Sequence, residues 1–430
     1  MSAIARTRRW RRRLGAVAGL VLVLGLVLAG LVAWLNLRGE APLESGTAVR
    51  ASAALIERGA YLARAGNCIG CHAGVQGEPF AGGRGVETPF GVVYASNLTP
   101  DAATGLGRWS PAEFWRALHH GRSKDGRLLY PAFPYPSYTR MRREDSDALY
   151  AFLRGVAPVE RPNRPHALRF PFGTQPALAV WRALFFEAED FAADPAQSES
   201  WNRGKYLVQA LGHCTACHSS RNALGATSLN AEFAGGLMPD GSWYAPSLAN
   251  PREAGVQAWP RAEVARLLKT GRSTHATVAG PMADVVYTST QHLRDDDLDA
   301  MAQFLASIPV REAPKRAFER APEPTLARGA ALYETHCAAC HGDRGQGVAG
   351  IYPALAGNRA VTLGSPANVI QVIRWGGFAP STPGHPRPFG MPPFSQVLGN
   401  DEIASVASFI RQSWGNGAAE VTPVAVRRVK

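Results

Sequence analysis

The longest apolar run of the chain lies near its N-terminus. Leu14 to Leu37 holds 24 residues without a charge, and a helix of that length, at 1.5 Å per residue, crosses a hydrocarbon core of about 30 Å. A cleavable signal peptide is the alternative, but its apolar region is only about 7–15 residues long and ends at a small-x-small site, of which this stretch has no convincing example. The pattern therefore favours an uncleaved membrane-spanning helix, with Trp10 and Trp34 near the two interfaces.

The rest of the chain shows a helical pattern that occurs three times. Each repeat begins with an Arg-Gly pair, and its glycine lies eight to ten residues before a cysteine. We expect a first helix here, with the glycine at a close crossing by another helix. A second helix is predicted from Ser110, where Ser-Pro-Ala-Glu has the pattern of a capping box, to Gly121. The equivalent second helices are predicted over 260–271 and 365–376, and third helices over 145–153, 295–305 and 401–410, with Phe152, Phe304 and Phe409 at matching places.

All six cysteines fall in three copies of the motif C-x-x-C-H, which are Cys68 to His72, Cys214 to His218 and Cys337 to His341. This motif is typical of covalent haem c attachment, in which Cys68, Cys71, Cys214, Cys217, Cys337 and Cys340 form thioethers and His72, His218 and His341 bind the iron. A zinc site would need further ligands at matching spacing, and a redox dithiol needs no adjacent histidine. A disulfide framework would need spare thiols, and none remain.

The motifs and the helical repeats together predict a mainly α protein: three tandem class I cytochrome c domains behind one N-terminal transmembrane helix. An apolar stretch in the segment between the first two domains, Trp181 to Phe186, is expected to clamp them together. The predicted division is 1–50 for the basic stub, the membrane helix and a linker, 51–160, 197–312 and 313–415 for the three domains, 161–196 for a Pro-rich linker and 416–430 for a flexible tail.

The net charge of +12 resembles that of a nucleic-acid-binding protein, but a large part of it comes from one cluster before the apolar run. The cluster consists of Arg6, Arg8, Arg9, Arg11, Arg12 and Arg13. Positive charge at this end of a membrane helix predicts a cytoplasmic N-terminus. We therefore expect the chain in a bacterial inner membrane with its haem domains in the periplasm, and no nucleic-acid partner.

The sixth iron ligand decides between electron transfer and small-molecule chemistry. A distal methionine is expected in the loop between the second and third helices, where Met282 and Met391 lie in the second and third repeats. The first repeat has Phe133 at that place, and Met141, eight residues further on, is the candidate against a different or absent ligand. For the proximal side, the carbonyls of Pro246 and Pro353 are expected to accept the imidazole N–H groups of His218 and His341.

Several further stretches resemble a known family, the triple-haem cytochrome c subunit of bacterial membrane-bound dehydrogenases for alcohols, gluconate, sorbitol or fructose. The likeness covers about residues 55–412. The stretches are Arg58 to Leu62, Thr88 to Gly91, Asn97 to Asp101, Thr104 to Trp109, Tyr130 to Tyr138, Trp201 to Leu207, Gly212 to Cys214, Tyr244 to Pro246 and Tyr352 to Asn358.

The resemblance implies an electron relay. A catalytic subunit with PQQ, flavin or molybdenum would oxidise its substrate, and the electrons would pass through three haems to ubiquinone or a terminal oxidase. Two departures are the chain's own N-terminal helix and Phe133, where many members have methionine. No catalytic motif is found, so an electron-transfer subunit without bond chemistry of its own is expected. The alternatives are a peroxidase-like enzyme or small-molecule reductase using an open first haem, and a cytochrome module of a terminal oxidase.

Overall fold

The computed structural model describes residues 3–43, 49–74, 76–227, 231–312 and 317–429. Its first helix, α1, runs from Ala3 to Leu37. Within α1, Trp10–Leu37 is the one helical segment of the described ranges that is long and apolar enough to span a membrane, with a mean hydropathy of 2.8 and none of it buried. The predicted membrane helix is therefore present as a continuous exposed helix.

The first unit contains five helices and a small sheet. Its strands are β1 and β2, and β3 from the following linker completes an antiparallel sheet of order β1-β2-β3. The bounds are α2 Ala53–Ala65, α3 Cys68–His72, β1 Gly85–Thr88, β2 Gly91–Tyr94, α4 Pro111–His120, α5 Tyr135–Tyr138 and α6 Arg143–Arg154, followed in the linker by β3 Ala167–Leu168 and α7 Gln175–Phe185.

The second and third units keep the first helix, the motif turn, the second helix and the third helix of the first unit in the same order. In the second, α8 continues into a π-helical turn over Tyr206–Leu211, and a 3-10 turn covers Thr290–His292. The bounds are α8 Glu199–Lys205, α9 Thr215–His218, β4 Gly236–Leu237, β5 Tyr244–Ala245, α10 Arg261–Thr270, α11 Pro281–Thr288 and α12 Asp295–Ser307. Those of the third are α13 Glu323–His336, α14 Ala338–His341, α15 Arg359–Thr362, α16 Ala367–Trp375, β6 Gly377–Phe378, β7 Gly390–Met391 and α17 Asn400–Gln412. The mainly α fold with three repeats is confirmed.

The predicted helix signals are present in the structure. Ser110 caps α4 by accepting from the backbone N–H of Glu113, and the Glu113 carboxylate accepts from the N–H of Ser110. Gly121 ends this helix in a left-handed conformation with φ 58°. The capping box therefore fixes where the second helix of the first unit starts and the glycine fixes where it stops.

In every unit the first helix crosses the third at a glycine. A Cβ placed on Gly59 would lie 2.0 Å from the carbonyl oxygen of Ala148, and one on Gly204 would lie 1.9 Å from that of Ala300. A Cβ on Gly329 would lie 2.3 Å from the carbonyl oxygen of Ser405. The expected close crossing is confirmed, and only a residue without a side chain allows it.

The described residues form two hydrophobic cores. The first two units share one continuous core, in which Leu62 and Leu149 pack with Leu207 and Leu298. The third unit has a core of its own around Ile370. Units one and two are thus a single packed body, whereas the third is a separate one.

The C-terminal segment differs from the expected flexible tail. Thr422 caps a short helix, α18 Pro423–Arg428, and the side chains of Val421 and Val426 are buried against α17 in the third core. The backbone of Val421 also pairs with the hydroxyl of Ser408 on α17, a side chain that is itself buried.

The linker helix α7 contacts both neighbouring units, as expected of the apolar stretch within it. Arg182 donates to the carbonyl oxygen of His120 in the first unit at 2.6 Å. Trp181 donates its indole N–H to the carbonyl oxygen of Leu224 in the second at 2.9 Å. The helix also packs against α1, which the sequence did not predict.

Candidate haem-binding sites

Each C-x-x-C-H motif forms a short helical turn directly after the first helix of its unit. In the first unit the whole motif is α3, whereas Cys214 and Cys337 are the N-cap residues of α9 and α14. The histidine is the last helical residue in all three cases. Two thiols and one imidazole are thereby presented by a single turn, and none of the six cysteines is in a disulfide.

A backbone carbonyl holds the imidazole of each motif. The Nδ1 atoms of His218 and His341 lie 2.7 Å and 3.0 Å from the carbonyl oxygens of Pro246 and Pro353, which confirms both predicted partners. The third partner, missed from the sequence, is Ser96, whose oxygen lies 2.7 Å from Nδ1 of His72. A proton on Nδ1 leaves the lone pair of Nε2 free for a metal.

One signal in the sequence would have located the Ser96 carbonyl. Each of the three carbonyl residues is followed two positions later by a leucine, and these leucines are Leu98, Leu248 and Leu355. The leucine N–H donates to a carbonyl of the segment that precedes it, at 2.7–2.9 Å. The segment whose carbonyl accepts from the histidine is therefore held by an equivalent backbone hydrogen bond in all three units.

A glycine holds the backbone of each histidine from the other side. The N–H groups of Gly82, Gly235 and Gly347 donate to the carbonyl oxygens of His72, His218 and His341 at 3.0, 2.8 and 2.7 Å. All three glycines have a left-handed φ, between 65° and 74°. A Cβ on any of them would come within 2.6 Å of the strand that supplies the carbonyl, so this position accepts no larger residue.

Two residues before these glycines the chain is again left-handed. Phe80 and Phe233 have φ values of 62° and 59°, and Gly345 has 64° at the equivalent place. A bulky residue in this conformation stores strain that the surrounding structure must hold. The loop beside each histidine thus has two left-handed residues, two positions apart.

Burial lowers the pKa of all three imidazoles, which favours their neutral, metal-binding form.

A large cavity of about 2220 Å³ lies beside the first motif. It exceeds the roughly 300–1,000 Å³ of an ordinary small-molecule pocket, and its walls are more apolar than polar. His72, Phe133 and Met141 all line it. The cavity provides room for a flat apolar cofactor, and it brings together both residues considered for the distal side of the first site.

The candidate distal methionines of the other two units lie in different local structures. Met282 is in the first turn of α11, and Met391 is in β7. Both are half-buried, Met282 against the shared core that also contacts Cys214, and Met391 against the third core that contacts Cys337. Met141 is 2% exposed. Each unit therefore has its candidate distal methionine in the same core as its first cysteine.

The first two motifs are joined through the backbone of Gly66. Its carbonyl oxygen accepts from the hydroxyl of Tyr138 at 3.2 Å and lies 3.3 Å from Nε2 of His213, the residue directly before Cys214. The rings of Tyr138 and His213 are in edge contact, 5.6 Å apart. Thr288 on α11 also donates to the side chain of Asn67, next to Cys68. The loops of sites one and two are thus in direct contact.

These residues fit haem c. Two thiols on one turn match the two vinyl groups of a haem, the neutral imidazole has its free nitrogen available for iron, and the cavity is apolar. The sequence model of the cytochrome c family matches residues 56–157, 202–309 and 326–414. The chain belongs to the cytochrome c family.

Relatives of this cytochrome are known over most of its length. It is 40% identical to the cytochrome c subunit of a quinone-type alcohol dehydrogenase from Gluconacetobacter polyoxogenes, over 87% of the chain and 85% of the relative. It is 39% identical to the gluconate 2-dehydrogenase cytochrome c subunit of Pantoea cypripedii (86% and 88%) and 36% identical to the fructose dehydrogenase cytochrome subunit of Gluconobacter japonicus (93% and 87%).

These comparisons confirm the resemblance found in the sequence. The relatives are cytochrome c subunits, which are electron-transfer rather than catalytic subunits, and this confirms the expected class. Three cytochrome c units also confirm covalently bound haem c as the cofactor.

Proposed function

We propose that the cytochrome carries electrons from a periplasmic dehydrogenase subunit, through three haems, to an acceptor in the membrane, either ubiquinone or a terminal oxidase. The observation that carries this proposal is the similarity, over more than four fifths of the chain, to subunits named for alcohol, gluconate and fructose dehydrogenases. The haem groups supply one-electron oxidation and reduction. The chain supplies their attachment, their ligands and their order.

In this proposal each pair of cysteines would hold one haem through two thioethers, and Nε2 of the adjacent histidine would be available to its iron. The carbonyls of Ser96, Pro246 and Pro353 orient the three imidazoles and increase their basicity. Met141, Met282 and Met391 are the proposed distal ligands of the first, second and third sites. A thioether ligand favours the reduced iron and raises the potential, as an electron carrier requires.

Contacts between the units support transfer along the chain. The first and second motifs meet at Gly66 and His213. The second and third units are joined by a reciprocal pair of hydrogen bonds between Tyr244 and Asn368, each 2.8 Å long. These hydrogen bonds would hold haems bound at neighbouring loops in a fixed relation to one another.

The surroundings of the terminal sites support a direction. The cavity of the first site extends to Arg38 at the end of α1 and to α7 beside it, which suits delivery to a membrane acceptor. Exposed apolar side chains lie near the third site: Val348 and Ile351 are in the loop before Pro353, and Phe389 is in ring contact with Tyr352 at 5.6 Å. Such a patch suits docking of a partner protein. We therefore place electron entry at the third unit and exit at the first.

The arginine cluster at the start of α1, before its apolar run, supports a cytoplasmic N-terminus and periplasmic haem units in the inner membrane. Isolation of the cytochrome from native membranes without cross-linking tests its partner. We expect a catalytic dehydrogenase subunit to co-purify and to reduce all the haem when its substrate is added. Recovery with an oxidase and no dehydrogenase would contradict the proposal.

Replacement of both cysteines of one motif by serine tests the attachment sites. Each of the variants Cys68→Ser/Cys71→Ser, Cys214→Ser/Cys217→Ser and Cys337→Ser/Cys340→Ser is expected to lose the mass of one haem from the denatured polypeptide. Retention of three covalent haems in any of them would show that the assignment of that site is wrong.

A further inference from the structure

Helix α7 buries its charged side chain and exposes apolar side chains, which is the reverse of an ordinary surface helix. Leu178 and Arg182, four residues apart on one face, are buried, and the arginine is only 3% exposed. Val180 and Leu184, four residues apart on the other face, are 47% and 63% exposed. Arg182 is the single charged residue of the helix. The face that looks away from the protein is therefore without charge.

The inward direction of Arg182 is fixed by several partners. Its guanidinium donates to the carbonyl oxygen of His120 at 2.6 Å and to the side-chain oxygen of Asn36 at 2.9 Å, and it lies 4.6 Å from the ring centre of Phe186. A buried arginine with these contacts would be costly to turn outward, since the charge would leave unpaired acceptors behind. The apolar outer face is thus a stable feature of the fold.

Helix α7 lies against the end of the membrane-spanning segment. Asn36, in the last turn of α1, donates to the carbonyl oxygen of Ala179 at 2.8 Å. The carbonyl of Asn36 accepts from Arg122, which also pairs with Glu40 at 2.6 Å. Since the apolar run ends at Leu37, α7 is held at the depth where that run meets the headgroups.

The exposed apolar surface of α1 thus continues onto α7 and beyond it. Phe185 at the end of α7 is 37% exposed, and Phe170 in the loop before it is 88% exposed. A helix whose outer face carries no charge and lies at this depth matches an interfacial helix, which buries its apolar face about 5–10 Å into the boundary between headgroups and acyl chains.

We propose that Val180, Leu184 and Phe185 of α7 insert into the lipid surface beside α1, so that the bilayer is the partner of this face. The inference rests on the proposed membrane location. Two neighbouring contacts with the bilayer hold the haem units in one orientation, whereas a single helix would let them swing. Val180 and Leu184 also line the cavity that contains His72, so this cavity opens at the level of the lipid.

The experiment uses the full chain with its haem, reconstituted into vesicles of phosphatidylethanolamine and phosphatidylglycerol. A nitroxide is attached to one introduced cysteine in Val180→Cys or Leu184→Cys, and its collisions with oxygen, which concentrates in lipid, and with a nickel chelate, which stays in water, are measured. Val397→Cys is the matched control, since Val397 is 62% exposed in the third unit. Leu24→Cys reports the centre of α1, and the unsubstituted chain is the labelling blank.

We expect labels at 180 and 184 to favour oxygen over the chelate, as at 24 though less strongly, and the label at 397 to favour the chelate. An aqueous signature at 184 equal to that at 397, with a lipid signature at 24, would overturn the inference and leave the membrane anchor intact. An aqueous signature at 24 as well would overturn both. Protection of 184 from both reagents would mean that protein covers this face, and it would also overturn the inference.

Discussion

The hydroxyl of Tyr206 in the second unit donates a hydrogen bond of 2.5 Å to Asp145 in the first. The same bond is made in the opposite direction, from Tyr61 in the first unit to Asp297 in the second, also at 2.5 Å. Each aspartate is paired with an arginine of its own unit as well, at 2.5 Å and 2.7 Å. The two units are therefore joined by a reciprocal pair of tyrosines, as in a two-fold symmetric dimer.

Loss of one of these bonds should destabilise the shared core. In Tyr206→Phe, Asp145, whose side chain is 1% exposed, loses one donor but keeps its arginine. We expect the free energy of unfolding to fall by about 1–3 kcal/mol, as for hydrogen bonds to charged groups, measured by urea denaturation. Tyr287→Phe is the control, because Tyr287 is 54% exposed and should change stability by no more than about 0.5 kcal/mol. Equal effects in the two variants would contradict the role given to Tyr206.

The tyrosine bonds also predict a loss of stability at high pH. Burial and the hydrogen bond to Asp297 raise the pKa of Tyr61 to about 12, above an unfolded value of about 10. The stabilisation is therefore fully present below about pH 10 and is lost as the pH rises through the folded pKa. Urea midpoints recorded from pH 9 to 12 should fall more steeply for the natural chain than for Tyr61→Phe. Parallel curves would mean that the Tyr61 proton does not contribute.

Gly82, which lies behind His72, should affect the midpoint potential of the first haem. In Gly82→Ala the new methyl group would lie 2.4 Å from the carbonyl oxygen of Ser96, which must move away from the imidazole. A weaker hydrogen bond makes the imidazole a poorer donor to ferric iron, so one of three midpoint potentials should rise, by on the order of 60 mV for each tenfold change in relative affinity. Gly126→Ala is the control, because Gly126 has a similar φ of 82° with nothing within 4 Å. A potentiometric titration that gives the same result for both variants would contradict this role.

The distal methionines can be tested one at a time. We expect Met141→Ala, Met282→Ala and Met391→Ala each to convert one third of the haem to a high-spin form that binds carbon monoxide when reduced, because loss of the thioether opens one iron. Met301→Ala, which removes a methionine of the shared core that is 4% exposed, should leave the spectrum unchanged. If the unsubstituted chain already binds carbon monoxide at one haem, and Met141→Ala adds nothing, the first site has no methionine ligand.

Local features of the fold could be predicted from the sequence, because each depends on a few neighbouring residues. Ser110 and Glu113 predict the start of α4, and the Arg-Gly pairs predict where the helices cross. The carbonyls of Pro246 and Pro353 could be named because both units have a proline two residues before a leucine, whereas the first unit has Ser96 at that place.

Contacts between distant parts of the chain could not be predicted in this way. Nothing near Tyr206 in the sequence indicates that its partner is Asp145, 61 residues away. The pattern Arg-Gly-x-Tyr does recur in the first two units and is absent from the third, which has Ala331 in place of the tyrosine, and this distinguishes the first two units from the third. The packing of α7 on α1 was missed for the same reason. The burial of Val421 and Val426 could not be seen in the sequence, because it depends on contacts with α17 that only the fold brings about.

Because the first two units share one core, we expect them to be inherited together. A recombination event that exchanged either of them alone would break the reciprocal tyrosine bonds and place mismatched side chains on both sides of the packed core. The third unit has its own core and meets the second largely through polar contacts such as those of Tyr244 with Asn368. Duplication, loss or replacement of haem units in this lineage should therefore occur at the junction before the third unit.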